Sequence, residues 1–263
     1  MNATSLEGRV FLLTGAAGGI GEGIARAILE AGGMPALVDV DLEGARAMAL
    51  RVGMTGPSIA AFRADVSDAG EVERAVEGTV EHFGRIDGAV NNAGVVTLDE
   101  AWEATGPDWN HQLEVNVTGS FLVAQAVGKR LKASGGGSIV NVASNCGKVG
   151  YRNMAAYNAS KSAVLGLTRS LSMEWAEHGI NVNAVCPGGR HPHAGRSGRV
   201  ALAPARHPGR RAPGIDGPGA VGQAHQTDGG RPGDRLPAVG RGAHNPGTGH
   251  QRGRRRYLVL NPD

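Results

Sequence analysis

The chain has 263 residues, of which 41% are hydrophobic, enough for one large α/β domain or two small ones. Its two cysteines, Cys146 and Cys186, stand far apart and show no metal-ligand spacing, so the sequence predicts neither a zinc site nor a disulfide framework. No apolar run approaches the length of a membrane span, and we expect a cytoplasmic protein without a membrane partner.

Charge divides the chain into two segments. Residues 1–189 contain 14 basic and 20 acidic side chains, whereas residues 190–263 contain 13 and 4. The second segment has no Lys, Glu, Phe, Trp or Met, and Gly and Pro make up about a third of it. Because its few apolar residues cannot bury enough surface to offset chain entropy, we predict a folded domain over residues 1–189 and an irregular or disordered basic tail over residues 190–263.

A glycine-rich turn at residues 14–21 stands between an apolar strand, residues 10–13, and a helix predicted over residues 20–31. In such a turn, backbone N–H groups and the positive end of the helix face a dinucleotide pyrophosphate, and side chains would block its approach. Glycine-rich turns also occur for structural reasons alone, so the motif depends on its context. The residues of the turn predicted to bind the cofactor are Gly15, Gly18, Gly19, Ile20 and Gly21.

The second predicted strand, residues 35–38, is followed by Asp39. A carboxylate at this point can accept hydrogen bonds from both adenosine ribose hydroxyls and would repel a 2′-phosphate, which favours NAD over NADP. The alternative is that Asp39 only caps the next helix, a role that we assign to Asp41.

Strands and helices continue to alternate beyond this point. Residues 58–64 are predicted as the third strand, and Ser67 as the N-cap of the helix that follows. The fourth strand, residues 88–90, leads into small and amide residues at 91–94, where the backbone can pass close to a ligand.

A long helix predicted over residues 108–132 contains Asn116 on an otherwise apolar stretch. Once buried, this amide needs hydrogen-bond partners, which neighbouring backbone alone can supply. The fifth strand, residues 138–142, delivers Ser144 at its end.

Tyr157 and Lys161 are four residues apart on a last long helix, residues 155–178, and therefore share one face. The sixth strand, residues 180–185, is followed by a Pro-Gly pair. Six strands alternating with helices predict an α/β fold, a doubly wound parallel sheet of the Rossmann type, whose ligands bind at the carboxyl ends of the strands. The residues predicted at those ends are Gly15, Asp39, Asp65, Asn91, Ser144 and Pro187.

In these motifs and their order the chain resembles one family, the short-chain dehydrogenase/reductases, over residues 6–189. A Tyr and a Lys four residues apart on a helix are usually incidental, but seven ordered motifs are highly specific. They are the turn at 14–21, Asp65-Val66, the run at 91–94, Asn116, Ser144 thirteen residues before Tyr157, the helix turn from Tyr157 to Lys161, and Pro187-Gly188.

The resemblance implies four catalytic residues. Tyr157 would take the alcohol proton as general base, since Lys161 and the positive charge of oxidised nicotinamide would stabilise its phenolate against an ordinary pKa near 10. Ser144 would hydrogen-bond the substrate oxygen, and Asn116 would anchor a water that links Lys161 to solvent. No metal is needed, and the residues implied to bind the cofactor are Gly15, Gly18, Gly19, Ile20, Gly21, Asp39, Asp65, Val66, Asn92, Ala93, Gly94, Tyr157, Lys161, Pro187 and Gly188.

The implied activity is hydride transfer between a small secondary alcohol or ketone and NAD. Basic residues typical of NADP users are absent from the glycine-rich turn, and Asp39 opposes a phosphate. Two alternatives remain open: an NADPH-dependent 3-oxoacyl-thioester reductase, and a catalytically impaired nucleotide-binding protein. The family commonly forms homodimers or homotetramers, which here depend on the C-terminus.

The family's substrate-covering loop, last helix and seventh strand are missing from the sequence after Gly189. A shift of reading frame explains this: with suitable synonymous codons, reading one base later turns residues 189–194 into Val-Asp-Thr-Pro-Thr-Leu and residues 250–255 into Ile-Asn-Val-Asp-Gly-Gly, both typical of the family. The same frame turns residues 234–242 into Ile-Ala-Phe-Leu-Arg-Ser-Asp-Glu-Ala. The competing interpretation, an arginine-rich tail that binds nucleic acid, is disfavoured because lysine is absent and Tyr257 is the only Phe, Trp or Tyr in the tail.

Overall fold

A computed structural model describes residues 5–55 and 60–188 of the chain. The tail predicted over residues 190–263, the boundary that separates it from the domain, and the hypothesis of a shifted reading frame lie outside the described residues.

The described residues form a parallel sheet of six strands in the order β3-β2-β1-β4-β5-β6. β1 pairs with β2 on one side and with β4 on the other, so the strand order changes direction beside β1. This confirms the predicted doubly wound α/β fold. The strands are β1 (Val10–Thr14), β2 (Met34–Asp39), β3 (Ala60–Arg63), β4 (Gly88–Asn91), β5 (Gly137–Val142) and β6 (Ile180–Val185).

Six α-helices connect the strands or follow them in the described residues. They are α1 (Gly19–Glu30), α2 (Leu42–Arg51), α3 (Ala69–Phe83), α4 (Gly106–Leu113), α5 (Gly119–Ser134) and α6 (Ala155–Trp175). The sequence predicts one helix through residue 178, whereas α6 ends at Trp175 and a short 3₁₀ turn follows at Ala176–His178.

Two hydrophobic clusters cover the two faces of the sheet. Successive side chains of a strand point to opposite faces, so Leu12 joins one cluster and Leu13 the other. The first cluster includes Val76 of α3, Val127 of α5 and Leu171 of α6, and the second includes Ala25 of α1 and Met48 of α2. Packing on both faces leaves the carboxyl edge of the sheet free for a site.

The helix predicted over residues 108–132 is interrupted in the structure. Between α4 and α5 the chain makes a π-helical turn at Glu114–Thr118, and Asn116 lies fully buried in this turn. The apolar periodicity is compatible with a continuous helix and therefore does not reveal the turn.

Of the two predicted helix N-caps, the structure confirms the one for α2 and contradicts the one for α3. Asp41 caps α2 as predicted, because its side chain accepts a hydrogen bond from the Gly44 N–H at 2.9 Å. Ser67 does not cap α3: Asp68 does, accepting from the Glu71 N–H at 2.8 Å. Within residues 5–55 and 60–188, no helix is long and apolar enough to cross a membrane.

Candidate active site

The glycine-rich turn is shaped by backbone that passes too close for side chains. Gly15 has a φ of +64°, and a Cβ atom there would lie 2.8 Å from the Cα of Ala93. A Cβ at Gly21 would collide with the carbonyl oxygen of Gly15. Gly19 differs, since nothing in the described part of the chain lies within 4 Å of its Cβ position. Packing therefore explains Gly15 and Gly21 but not Gly19.

A cleft of about 560 Å³ opens beside this turn. Ten residues predicted to bind the cofactor line it: Gly15, Gly18, Gly19, Ile20, Asp39, Asp65, Val66, Asn92, Ala93 and Gly94. Sequence reasoning missed the remaining wall residues, which are Ala17, Val38, Val40, Asp41, Ala64, Val95, His111 and Val115. His111 and Val115 are four residues apart in the helical segment before Asn116 and therefore share one face, which is the signal that could have found them.

Asp39 connects the end of β2 to the glycine-rich turn. One of its carboxylate oxygens accepts from the Ala17 N–H at 2.9 Å, and the other accepts from the Asp41 N–H at 2.9 Å. The alternative that Asp39 only caps the next helix is wrong, because Asp41 is the N-cap of α2. A carboxylate has about four lone-pair sites, so both oxygens retain acceptor capacity toward the cleft.

Asp65 lines the cleft and is held there as a carboxylate. The Ser67 hydroxyl donates to its Oδ1 at 2.6 Å, and the Ser67 N–H donates to the same oxygen at 2.9 Å. The hydroxyl bond is the main cause that lowers the pKa of Asp65, with the charges of His111 and Arg63 adding to it against the opposing effect of burial.

The run that follows β4 is fastened to β1. The Thr14 hydroxyl oxygen accepts from the N–H groups of Asn92 and Ala93 at 3.0 and 3.1 Å. The Asn92 amide donates to the carbonyl oxygens of Thr14 and Gly15 at 3.1 and 3.0 Å. These bonds fix the wall of the cleft between the two strands.

Ser144, Tyr157 and Lys161 are buried together at the ends of β5 and α6. The three residues are only 8%, 5% and 4% exposed to solvent, respectively. The Ser144 hydroxyl lies close enough to the Tyr157 side chain to oppose the rise of its pKa. The Lys161 Nζ donates to the Val142 carbonyl at 2.9 Å and lies 5.6 Å from the centroid of the Tyr157 ring. The structure thus brings these three predicted catalytic residues together.

The cleft reaches this buried cluster at Gly94. A Cβ atom at Gly94 would lie 3.3 Å from the Lys161 Nζ and 3.1 Å from the Asn116 Oδ1. A side chain at Gly94 would therefore crowd Asn116 and Lys161 at the edge of the cleft.

Burial dominates the acid–base properties of the cluster. It raises the pKa of Tyr157, the Ser144 hydrogen bond opposes this rise, and the nearby Cys146 thiol adds to it when ionised. Burial lowers the pKa of Lys161 to about 8, and Cys146 acts in the opposite direction. The family resemblance implies that Lys161 and the cofactor stabilise the Tyr157 phenolate. In the chain by itself burial raises the pKa of Tyr157, and the stabilisation of its phenolate stays a prediction.

Asn116 braces the surrounding backbone and α6. Its Oδ1 accepts from the Val95 N–H at 2.8 Å, and its Nδ2 donates to the Val95 carbonyl at 2.9 Å and to the Ser160 hydroxyl at 3.0 Å. The Asn116 carbonyl accepts from the Ser120 hydroxyl at 2.8 Å. Asn116 thereby links the loop after β4 to the helix that carries Tyr157.

Pro187 and Gly188 do not line the cleft. The Pro187 carbonyl accepts from the Asn145 N–H at 2.9 Å, and the Cβ position of Gly188 is 3.7 Å from the Asn145 Cβ. The end of β6 therefore supports the loop that follows Ser144. Within the described residues, no group of three or more His, Cys, Asp or Glu side chains is arranged to hold a metal ion.

The chain matches the family model described as short chain dehydrogenase over residues 9–197, which extends slightly beyond residue 189, where we predict the resemblance to end. It is 44% identical to a D-threitol dehydrogenase from Mycolicibacterium smegmatis over 182 residues, which are 69% of this chain and 70% of that protein. It is 39% identical to a sorbitol dehydrogenase from Cereibacter sphaeroides over 184 residues, which are 70% of this chain and 71% of that protein.

A solved structure has the same fold. The crystal structure of a 3-ketoacyl-(acyl-carrier-protein) reductase from Brucella melitensis, complexed with NADH, superimposes with a TM-score of 0.67 at 35% sequence identity. The superposition covers 70% of this chain and 76% of that chain.

Proposed function

The chain belongs to the short-chain dehydrogenase/reductase family, and from that premise we propose that it transfers a hydride between a secondary alcohol or ketone and NAD. The observation that carries the proposal is the junction at Gly94, where a cleft lined by glycine-rich backbone meets the buried Ser144, Tyr157 and Lys161. A nicotinamide-linked dehydrogenase needs both parts in this arrangement.

The described residues fit a dinucleotide. Gly19 lies at the N-terminus of α1 on the wall of the cleft, and the space at its Cβ position is open. The N-terminus of a helix attracts the negative charge of a pyrophosphate, and a glycine there lets the phosphates approach backbone N–H groups. The turn would hold the pyrophosphate, Asp39 the adenosine ribose, and Lys161 the nicotinamide ribose.

NAD, when bound, supplies the hydride acceptor for alcohol oxidation. Ser144 donates a hydrogen bond to the substrate oxygen, and the Tyr157 phenolate accepts the proton of the alcohol hydroxyl. Lys161 holds a positive charge beside the phenolate, with the Val142 carbonyl fixing the ammonium in place. In the reverse direction the Tyr157 hydroxyl returns its proton to the carbonyl oxygen.

Asp39 supports the choice of NAD over NADP. Both of its oxygens are already oriented by backbone N–H groups, so the carboxylate is held in a fixed orientation on the wall of the cleft. A rigid carboxylate favours ribose hydroxyls and repels a 2′-phosphate. The substrate class is a small hydroxylated molecule, which the activities of the D-threitol and sorbitol dehydrogenases support.

The test combines cofactor binding with turnover. We expect the full chain to bind NADH, observed by its fluorescence, and to oxidise secondary alcohols. Tyr157→Phe should still bind NADH while kcat falls about a thousandfold, within the usual contribution of a general base. Turnover that survives the substitution would contradict the role of Tyr157.

The same assay distinguishes the alternatives. NADH binding without turnover on any secondary alcohol would favour a catalytically impaired nucleotide-binding protein. A preference for NADPH, with reduction of an acyl thioester, would favour the 3-oxoacyl-thioester reductase. For Asp39→Ala we expect about tenfold weaker NADH binding and a relative gain for NADPH, with Glu43→Ala on the exposed face of α2 as control.

We further propose that the catalytic domain ends near residue 189 and that residues 190–263 result from a shift of reading frame. Support comes from composition and from the relatives, whose matched portions are 70–71% of their own lengths. Sequencing the gene should reveal a single frame change that restores the three family runs. If no single change restores them, this proposal fails. Light scattering after size-exclusion chromatography would test the expected homodimer or homotetramer.

A further inference from the structure

The loop after Ser144 presents a pair of polar side chains that the mechanism above does not use. The Asn145 Nδ2 donates to the Tyr151 hydroxyl oxygen at 2.7 Å. Tyr151 is 44% exposed, so the pair is accessible. Neither Asn145 nor Tyr151 lines the cleft, so the pair is separate from the proposed cofactor site.

The pair is tied to the reacting groups from both sides. Asn145 directly follows Ser144, and its N–H is held by the Pro187 carbonyl. The Tyr151 carbonyl accepts from the Asn158 amide at 2.8 Å, and Asn158 directly follows Tyr157. The pair is therefore anchored one residue away from each of the two side chains that would contact the substrate oxygen.

The hydrogen-bonding capacity of the pair matches a hydroxyl group. Within the described residues, the Tyr151 hydroxyl hydrogen has no acceptor and the Asn145 Oδ1 has no donor. At least one donor and one acceptor thus remain. Reversing the amide of Asn145 keeps both kinds, because the Tyr151 hydroxyl then donates to Oδ1, which leaves the Tyr151 oxygen as an acceptor and Nδ2 as a donor for a ligand. A hydroxyl is the small group that both donates and accepts.

On the premise of the proposed function, we propose that Asn145 and Tyr151 form a specificity pair that binds a second hydroxyl, adjacent to the carbinol that reacts. The substrate class is then a vicinal diol or longer polyol. A monohydroxy alcohol would exclude water from the pair without replacing its hydrogen bonds, which costs affinity.

The experiment uses the full chain with NAD and two substrates of equal carbon number, 2,3-butanediol and 2-butanol. Wild type should have the higher kcat/KM for the diol. Tyr151→Phe, which removes only the hydroxyl, should lower the ratio of kcat/KM for diol to 2-butanol about fivefold to tenfold, as expected for loss of one hydrogen bond. Asn145→Ala should lower it similarly.

The control is Asn110→Ala on the exposed surface of α4, which should leave the ratio unchanged. The proposed role of the pair is wrong if Tyr151→Phe leaves the ratio of kcat/KM for the diol to that for 2-butanol unchanged. It is also wrong if the wild type prefers 2-butanol. If neither alcohol is turned over, the proposed function fails, and the pair is then decided by saturation-transfer NMR of the diol on the NAD-loaded chain. Diol binding lost in Tyr151→Phe supports the pair, and binding that is absent or unchanged overturns it.

Discussion

The cofactor cleft and the catalytic cluster lie at the same edge of one sheet but are built by opposite means. At the cleft, backbone segments approach each other closely where Gly15 and Gly21 carry no side chains, and this close approach shapes the glycine-rich turn. At the cluster, buried polar side chains determine it, through hydrogen bonds made by Asn116, Lys161 and Ser144.

This difference separates two kinds of sensitivity. Where backbone forms the site, adding an atom does the damage, because there is no room for it. Where buried side chains form the site, removing an atom does the damage, because its partners are left unpaired in a region that excludes water. Substitutions that add or remove atoms therefore test the comparison directly.

The largest effect is expected for removal of a side chain on the catalytic half. Asn116→Ala deprives the Val95 N–H, the Val95 carbonyl and the Ser160 hydroxyl of a partner, and should lower the free energy of unfolding by about 3–5 kcal/mol. Urea denaturation measures it. Asn110→Ala, on the exposed surface of α4, should change stability by less than about 0.5 kcal/mol. Equal stability of the two variants would mean that the brace has no energetic importance.

On the cofactor half, addition of one methyl group should have the next largest effect. Gly15→Ala forces a positive φ on alanine and places its Cβ against Ala93, which should cost about 2–4 kcal/mol. Gly8 offers a matched control: its φ is +66°, but nothing in the described part of the chain lies within 4 Å of its Cβ position. The difference in unfolding free energy between Gly15→Ala and Gly8→Ala measures the crowding alone. If the two substitutions cost the same, backbone crowding does not shape the turn.

Burial of Lys161 should appear as a dependence of stability on pH. Its folded pKa of about 8 lies below the ordinary value of 10.5, so between these values the unfolded chain binds the proton and the folded chain does not. Stability therefore rises with pH through this window, by up to about 3 kcal/mol at 1.4 kcal/mol per unit. Lys161→Met removes the titrating group, and its unfolding free energy should lack this rise. Comparing the two chains cancels the contributions of groups that do not interact with Lys161, and parallel curves would contradict the shift.

The smallest effect is expected where the cleft has room. Gly19→Ala should leave stability unchanged or slightly higher, since alanine suits a helix better than glycine and its Cβ position is open. The methyl group would nevertheless stand where the phosphates approach, and NADH binding should weaken about tenfold. Gly23→Ala, on the same helix but outside the cleft, is the control for fluorescence titration. Unchanged affinity in Gly19→Ala would remove the reason to place the pyrophosphate at this glycine.

Much of this architecture could be predicted from the sequence. The strands are short apolar runs in the sequence, and the polar or glycine residue that follows each run marks the carboxyl end of the strand. Asp39, Asp65 and Ser144 could be assigned to one edge of the sheet in this way. In a parallel sheet the carboxyl ends of all strands lie at the same edge, so residues far apart in the chain come close together. This prediction does not require the exact ends of the helices.

The remainder depends on three-dimensional context. The choice between Ser67 and Asp68 as N-cap is not visible in sequence, because both residue types cap helices well and they are adjacent. The partners of Asn116 come from Val95 and Ser160, distant in the chain. The direction of the pKa shift of Tyr157 is set by burial, a property that a linear pattern does not contain.

The π-helical turn at Glu114–Thr118 sets the angular phase of the helix that follows it. Each residue of an α-helix advances the side-chain direction by about 100°, so a turn with one additional residue rotates every later side chain of α5 relative to α4. Deleting a single residue from this turn would restore a uniform helix, yet it would carry the apolar face of α5 away from the sheet and Asn116 away from Ser160. The π-helical turn thus allows α4 and α5, on either side of it, each to face its own packing partners.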